Sequence, residues 1–470
     1  MTKNKSPSTN EGLVVFSDQV LVAGATAPVP AALEIENGKW KRVETGEKAF
    51  NRYSGQSKHP PIFDLSGQGV IAPGLVDVHA HINEPGRTEW EGFETATAAC
   101  ASGGTTCVVD MPLNSIPATV TKDAFRLKRE AANGKCAVDY GLWGGIIPGG
   151  LSEIEPLIEA GVIGFKVFLV PSGVDEFPHV TREHLLEAMP ILAKNGIPLI
   201  VHAELESAVS INDTTQGASK KYRTYLESRP AEWEVRAIRM MIELAEKTGC
   251  ATHIVHLSAA DALDDIARAK AKGLKFTAET CPHYLSISSE EIPDGATHFK
   301  CAPPIREKSN QDRLWEGLRT GVIDFVTSDH SPCTPVLKAS ESGDFGKAWG
   351  GIASLQFTLP LVWSGARAHG VSLSKVFEWL SSRPAQFAGM GSRKGAIAVG
   401  KDADFLLFQP EKKFTLTREM IRYKHQISPY IGRELFGPVR MTFLRGKPAF
   451  EASSTQPLPR GEWLGRQERI

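Results

Sequence analysis

The run Asp77-Val78-His79-Ala80-His81 follows an apolar stretch, Val70-Ile71-Ala72-Pro73-Gly74-Leu75-Val76. Residues two apart on a strand project to the same face, so His79 and His81 can grip one cation together. Imidazole suits zinc and similar divalent metals. Two histidines satisfied by core hydrogen bonds are the alternative for this pair alone. Lys166 lies inside Gly164-Phe165-Lys166-Val167-Phe168-Leu169, where an ammonium is costly unless paired or modified. Either its stem snorkels past the sheet, or it is held neutral and adds carbon dioxide. The resulting carbamate has two oxygens that bridge two cations. His202 ends Pro198-Leu199-Ile200-Val201-His202, and His256 comes near the end of His253-Ile254-Val255-His256-Leu257-Ser258. His253 falls on the opposite strand face and reads as structural. Asp329, in Val326-Thr327-Ser328-Asp329-His330-Ser331-Pro332, can ligate a cation and take a proton from bound water. Its alternative is a strand-ending cap of the next turn. Asp324 belongs to the opposite end of the same strand. A dinuclear hydrolytic centre explains all six residues; each structural alternative explains one.

Six such residues need a frame that brings distant strand ends together. Eight strand candidates lie around Val76–Ile82, Thr105–Met111, Tyr140–Ile146, Ile163–Leu169, Leu199–His202, His253–Leu257, Lys275–Glu279 and Phe325–Ser328. Helical spacers fall between most of them, for example Ser152–Ala160, Thr181–Lys194, Trp233–Lys247 and Ala259–Ala271. This alternation predicts an α/β fold, a (β/α)8 TIM barrel, with chemistry at the C-terminal strand ends. A doubly wound sheet competes, but no GxGxxG turn opens a helix after the first strand. Short strand patterns at both chain ends predict a small, discontinuous β-sandwich from 12–70 and 395–450, a barrel over 71–394 and a tail over 451–470.

The 53 basic and 54 acidic residues nearly cancel, to a formal net charge of -1. That leaves no basic footprint for nucleic acid and no field toward acidic lipid. Seven cysteines are scattered without a CxxC pair, which predicts a reducing compartment. Met1 to Glu11 is polar, no signal peptide or membrane span is readable, and the terminal residues are not an SKL address. Cytoplasm is the expected location.

The His79-Ala80-His81 pair, the Lys166 strand, His202, His256 and Asp329 resemble, one by one, the amidohydrolase superfamily in its cyclic-amidase branch of dihydroorotase, hydantoinase and allantoinase. Lys394-Gly395-Ala396-Ile397-Ala398-Val399-Gly400-Lys401-Asp402-Ala403-Asp404 resembles that family's return into the sandwich, so the likeness covers nearly the whole chain. Within the branch, Glu84-Pro85-Gly86-Arg87, Asp110-Met111-Pro112-Leu113-Asn114, Glu279-Thr280-Cys281-Pro282-His283-Tyr284, Lys300-Cys301-Ala302-Pro303-Pro304 and Asp329-His330-Ser331-Pro332-Cys333 followed by Trp349 resemble the allantoinase family. Dihydroorotases carry an arginine where this chain has Asn83; hydantoinases carry a tyrosine at Pro171 and an asparagine at Gly350.

The resemblance implies that His79 and His81 bind one divalent ion and His202 and His256 the other. Carbamylated Lys166, formed with CO2, bridges them, and Asp329 completes the shell of the first ion and carries the proton. Zinc is the expected metal, with cobalt, manganese or iron as alternatives. The implied reaction opens the hydantoin ring of allantoin to allantoate in purine (ureide) catabolism, with Asn114, Cys301, Ser331 and Trp349 as candidate substrate contacts. A homotetramer is implied as well. The alternatives are a hydantoinase or dihydropyrimidinase-type cyclic amidase and a non-catalytic scaffold relative.

Overall fold

The computed structural model describes residues 12–47, 49, 62–206, 219–452 and 461–466. The polar leader Met1 to Glu11 and, within the tail, residues 453–460 and 467–470 lie outside the described residues. The chain opens with Leu13–Val20 (β1), Val29–Glu36 (β2), Lys39–Thr45 (β3), Ile62–Asp64 (β4) and Val70–Pro73 (β5). Glu36 pairs with Lys39 across a two-residue turn, Asn37-Gly38, with φ of 52° and 75°. That turn needs two left-handed residues, and Asn-Gly supplies them at little cost.

The barrel strands follow: Leu75–Ala80 (β6), Thr105–Asp110 (β7), Asp139–Leu142 (β8), Gly144–Gly145 (β9), Phe165–Phe168 (β10), Leu199–His202 (β11), Thr252–Ile254 (β12), Phe276–Thr280 (β13) and Phe325–Val326 (β14). Every ladder among them is parallel. Nearly all their residues are buried, because helices cover one side and side chains fill the other. β8 and β9 form one strand broken at Trp143, whose N–H donates to Asp110 O (3.0 Å) while Gly144 N–H donates to Gly164 O (2.9 Å). A Cβ on Gly145 would lie 2.3 Å from the Phe177 ring, so only glycine fits that break. The ring closes where Ala80 bridges His330 and His81 N–H donates to His330 O (2.7 Å). The expected helices appear at Ile154–Ala160, Arg182–Asn195, Ala231–Thr248 and Leu263–Ala271. The first and last are preceded by 3-10 turns at Leu151–Glu153 and Ala260–Ala262.

The chain then returns through Phe405–Phe408 (β15), the small hairpin Lys413–Thr415 (β16) and Glu434–Phe436 (β17), Val439–Leu444 (β18) and Lys447–Glu451 (β19). Both chain ends build one sheet, in the order β19-β18-β15-β5-β1-β2-β3. β5 reaches Pro73 and joins that sheet, and only Gly74 separates it from β6. Of the tail, Tyr140 N–H donates to Glu462 O (3.0 Å) and Leu464 N–H to Tyr140 O (2.8 Å), so residues 461–466 lie against β8. Below β8, the buried Lys394 ammonium meets Asp404 (2.6 Å), Asp402 (2.9 Å) and Asp139. Arg445 and the Glu462 N–H also reach Asp139, each at 2.7 Å. Among the described residues no helix is long and apolar enough to cross a membrane.

Candidate active site

All six candidate ligands meet at the C-terminal mouth of the barrel. His79 sits on β6, Lys166 on β10 and His202 at the end of β11. His256 and Asp329 stand beyond β12 and β14, with φ of 41° and 43°. The apolar runs suggest strands through Leu257 and Ser328, but pairing stops at Ile254 and Val326. Left-handed backbone at a non-glycine residue is uncommon and collects at functional sites; here it turns each side chain at its strand end. Asp77 fastens the rim, accepting from His79 N–H and Ser328 N–H, both at 3.0 Å.

Carboxylates behind the histidines decide which ring nitrogen faces the mouth. His79 Nδ1 lies 2.5 Å from Glu279 Oε1, so its Nε2 points toward Asp329 Oδ1, 3.1 Å away. His81 Nε2 is 3.5 Å from the same oxygen. The Asn114 side-chain amide lies 3.3 Å from His81 Nδ1. The near atom is the amide nitrogen; turning the amide over brings its otherwise unpartnered oxygen to that place, where it can accept the Nδ1 N–H and leave Nε2 a lone pair. His202 stacks on Phe168 (4.4 Å between centroids) and gives Nε2 to Glu204 at 2.7 Å, leaving Nδ1 for the mouth. Glu204 is in turn held by Arg229 Nε (2.9 Å). His256 packs 4.6 Å from His202 and 5.4 Å from His79, with a buried Nδ1 that has no hydrogen-bond partner among the described residues.

The electrostatics are those of a cation site. Burial disfavours a charged His79, yet Asp329 and Glu279 outweigh it and hold its pKa at about 9. Burial drives His81 down to about 4 and His202 and His256 down as well. Asp329 stays ionised: burial opposes its charge, but His79 and its other hydrogen-bond partners pull its pKa well below the ordinary value. Lys166 is 1% exposed, and among the described residues its ammonium has no ion pair, only the Phe168 ring at 5.0 Å. Burial lowers its pKa to about 8 against the attraction of Asp329 and Glu279. The buried His79 Nε2, facing the Asp329 carboxylate at 3.1 Å, and the buried His256 Nδ1, with no hydrogen-bond partner among the described residues, are with that carboxylate a donor set that fits divalent metal. His79, His81 and Asp329 bring their ligand atoms within 4.8 Å of one another; Cys281 and His283 approach Asp329 equally closely.

A cavity of about 430 Å³ opens above these residues, lined by His81, Lys166, His202, His256 and Asp329. Asn114, Ser331 and Trp349 also line it, as do Pro171 and Gly350. His79 and Cys301 do not; the Cys301 carbonyl accepts the Tyr225 O–H (2.7 Å), and it is Tyr225 that lines the wall. Asn83 lies buried below, its amide donating to Pro332 O (3.3 Å). His253 is a supporting residue: its Nε2 meets Glu279 (3.1 Å) and its Nδ1 Thr277 (2.8 Å). The sequence reading passed over Glu279, Glu204, Arg229 and Asp77. Acidic residues at strand ends beside candidate ligands were the available signal.

Residues 70–449 match the Amidohydrolase family. An allantoinase of Arabidopsis thaliana is 49% identical over 416 residues, 86% of this chain and 82% of its own. An allantoinase of Saccharomyces cerevisiae is 42% identical over 454 residues, 96% of this chain and 98% of its own. Among solved structures, the L-hydantoinase (dihydropyrimidinase) of Arthrobacter aurescens superposes with a TM-score of 0.88 at 28% identity, covering 97% of this chain and all of that one. The barrel with a sandwich of both chain ends is thus a cyclic-amide hydrolase fold, and the donor set makes it a metal-dependent one. The chain belongs to the amidohydrolase family and, within it, to the allantoinases.

Proposed function

We propose that this protein opens the hydantoin ring of allantoin by hydrolysis, releasing allantoate. The observation that carries the reading is Asp329, an ionised carboxylate shared by His79 and His81 at the floor of a cavity sized for one small ring. His79, His81 and Asp329 would hold one divalent ion, and His202 and His256 the other. Lys166, carbamylated with CO2, would be the group between them, and its lowered pKa supports that role because it brings the neutral amine, the form that adds CO2, within easier reach. Bound ions supply a Lewis acid and a water that ionises near neutral pH; zinc suits this N/O set, with cobalt, manganese or iron also accepted.

Asp329 takes the proton of the attacking water as its oxygen joins the ring carbonyl carbon. It returns that proton to the ring nitrogen as the C–N bond breaks. The substrate is neutral and polar, so hydrogen bonds must hold it, and Asn114, Ser331 and Trp349 are the candidates on the wall. Cys301 is set back from the cavity, its carbonyl held by Tyr225, and is not among these contacts. Pro171 and Gly350 in the cavity leave out the side chains a hydantoinase would use. The same reading takes 12–70 with 395–450 as the sandwich, 71–394 as the barrel and 451–470 as a tail, with β5 carrying the sandwich sheet on to Pro73 and β19 to Glu451. It places the enzyme in the cytoplasm as a homotetramer, and seven reduced, buried cysteines support a reducing location.

The test offers metal-loaded protein allantoin, dihydroorotate and hydantoin side by side. Ring opening should be far fastest with allantoin. Comparable turnover of dihydroorotate sinks the reading, and faster hydantoin turnover favours the hydantoinase alternative.

A further inference from the structure

Lys338 is 4% exposed, and among the described residues no carboxylate pairs with it. Its Nζ donates instead to three main-chain carbonyls: Lys300 (3.3 Å), Trp349 (3.0 Å) and Gly351. A second ammonium works beside it, since Lys300 Nζ donates to Ala348 O (2.7 Å) and Gly346 O (3.3 Å). Two further bonds close the arrangement: Gly351 N–H to Lys300 O (2.9 Å) and Trp349 N–H to Leu337 O (2.7 Å). The segments gathered this way carry Lys300, Ala302, Ala348, Trp349 and Gly350, the outer wall of the cavity. Trp349 is braced from behind by Trp90, 4.8 Å away at 69°.

A buried ammonium without a counter-ion is an expensive residue to keep. Burial lowers its pKa, with only Cys333 and Cys301 acting in the other direction. Three converging carbonyls explain why it is kept. They repel one another and accept but cannot donate, and an apolar side chain would leave the Trp349 and Gly351 carbonyls buried without that donor while Lys300 O kept only the Gly351 N–H. Lys338 does not line the cavity, so it acts on whatever binds there only through the wall.

Resting on the reading of this cavity as the ring-binding pocket, we infer that Lys338 is a positioning residue that sets substrate fit. It draws the 300–302 and 346–351 segments together and fixes Trp349 and Gly350 at the separation a substituted hydantoin ring requires. Without that cation the wall relaxes outward. Binding contacts shared by ground and transition states weaken, while the candidate metal ligands on the other side of the cavity are untouched.

The experiment compares wild type, Lys338→Met and Lys338→Arg as metal-loaded enzymes with allantoin and unsubstituted hydantoin. Metal content and thermal unfolding are measured on the same preparations. For Lys338→Met, KM for allantoin should rise by about tenfold, with kcat within about threefold of wild type. Metal content should be unchanged, and the preference for allantoin over hydantoin should narrow by about tenfold. Lys338→Arg keeps the charge and donors and should recover part of the KM. Unchanged KM and preference in Lys338→Met, or a fall in kcat alone, overturns the assignment. So does failure of both variants to fold with metal, since Lys338 would then serve the fold and not the pocket. Absence of allantoin opening by wild type defeats the reading of the site itself; normal wild-type turnover beside an unaltered Met variant defeats only the role of Lys338.

Discussion

Asp329→Asn isolates one negative charge with little else altered. Residue 329 has a φ of 43°, and asparagine enters the left-handed region as readily as aspartate. The side chains are nearly isosteric, so the backbone turn and packing against β14 survive. What changes is the atom 3.1 Å from His79 Nε2 and 3.5 Å from His81 Nε2. An amide oxygen can still touch a cation but cannot accept the water's proton at neutral pH. Removing a general base lowers the chemical step by about 10²–10⁴, or roughly 3–5.5 kcal/mol in the barrier. Asp329→Ala should cost the same in rate and also destabilise the fold by roughly 1–2 kcal/mol, because alanine resists positive φ. The assay is single-turnover opening of allantoin, with metal analysis and thermal unfolding on each variant. If Asp329→Asn holds its metal and stays within tenfold of the wild-type rate, another group carries the proton.

Lys166→Ala should lose bound metal and activity together, and a short-chain carboxylic acid with excess metal should restore part of both; full metal and activity without additive would rule out the carbamate. Glu279→Gln keeps the shape but withdraws the charge behind His79 and His253, and metal affinity measured by competition with a chelator should fall by about 10–100-fold. In metal-stripped protein, Arg229 and His202 overcome the burial penalty on Glu204 and hold its pKa at about 2. Its folded value lies below its unfolded value, so this contribution to stability is complete above the ordinary carboxylate range and is lost as pH falls from about 4 toward 2. Urea unfolding across that range should show the slope, and Glu204→Gln should reduce it.

The barrel was legible because its strands are buried on both faces and read as mostly apolar runs, five of which carry a residue of metal-ligand type in or just after them. His202 ends β11, His81, His256 and Asp329 stand just beyond their strands, His79 is one residue short of the end of β6, and Lys166 lies inside β10. The precise ends were not legible. β14 keeps only two residues because the Asp77 carboxylate, and not a neighbouring strand, takes the Ser328 N–H. The supporting residues were hidden for a similar reason. Glu279 meets His79 across 200 positions of chain, so its place near the end of an apolar strand could mark it as internal but not show which histidine it holds. Lys338 was hidden too, since its partners are carbonyls, which every residue carries. Cys301 was singled out within a motif, yet Tyr225, from a segment with no motif, occupies the wall in front of it.

The charged knot beneath β8 has a consequence for how the protein is made. Asp139 belongs to the third barrel strand, but its partners are Lys394, Arg445 and the Glu462 N–H, which a ribosome adds more than 250 residues later. Until then this carboxylate has no cation to enter the interior with, and burying it alone would be strongly unfavourable. The floor of the barrel therefore cannot close during synthesis of the barrel itself. The nascent chain must wait with that end hydrated, and the last strands to emerge, together with residues 461–466, act as the key that locks it.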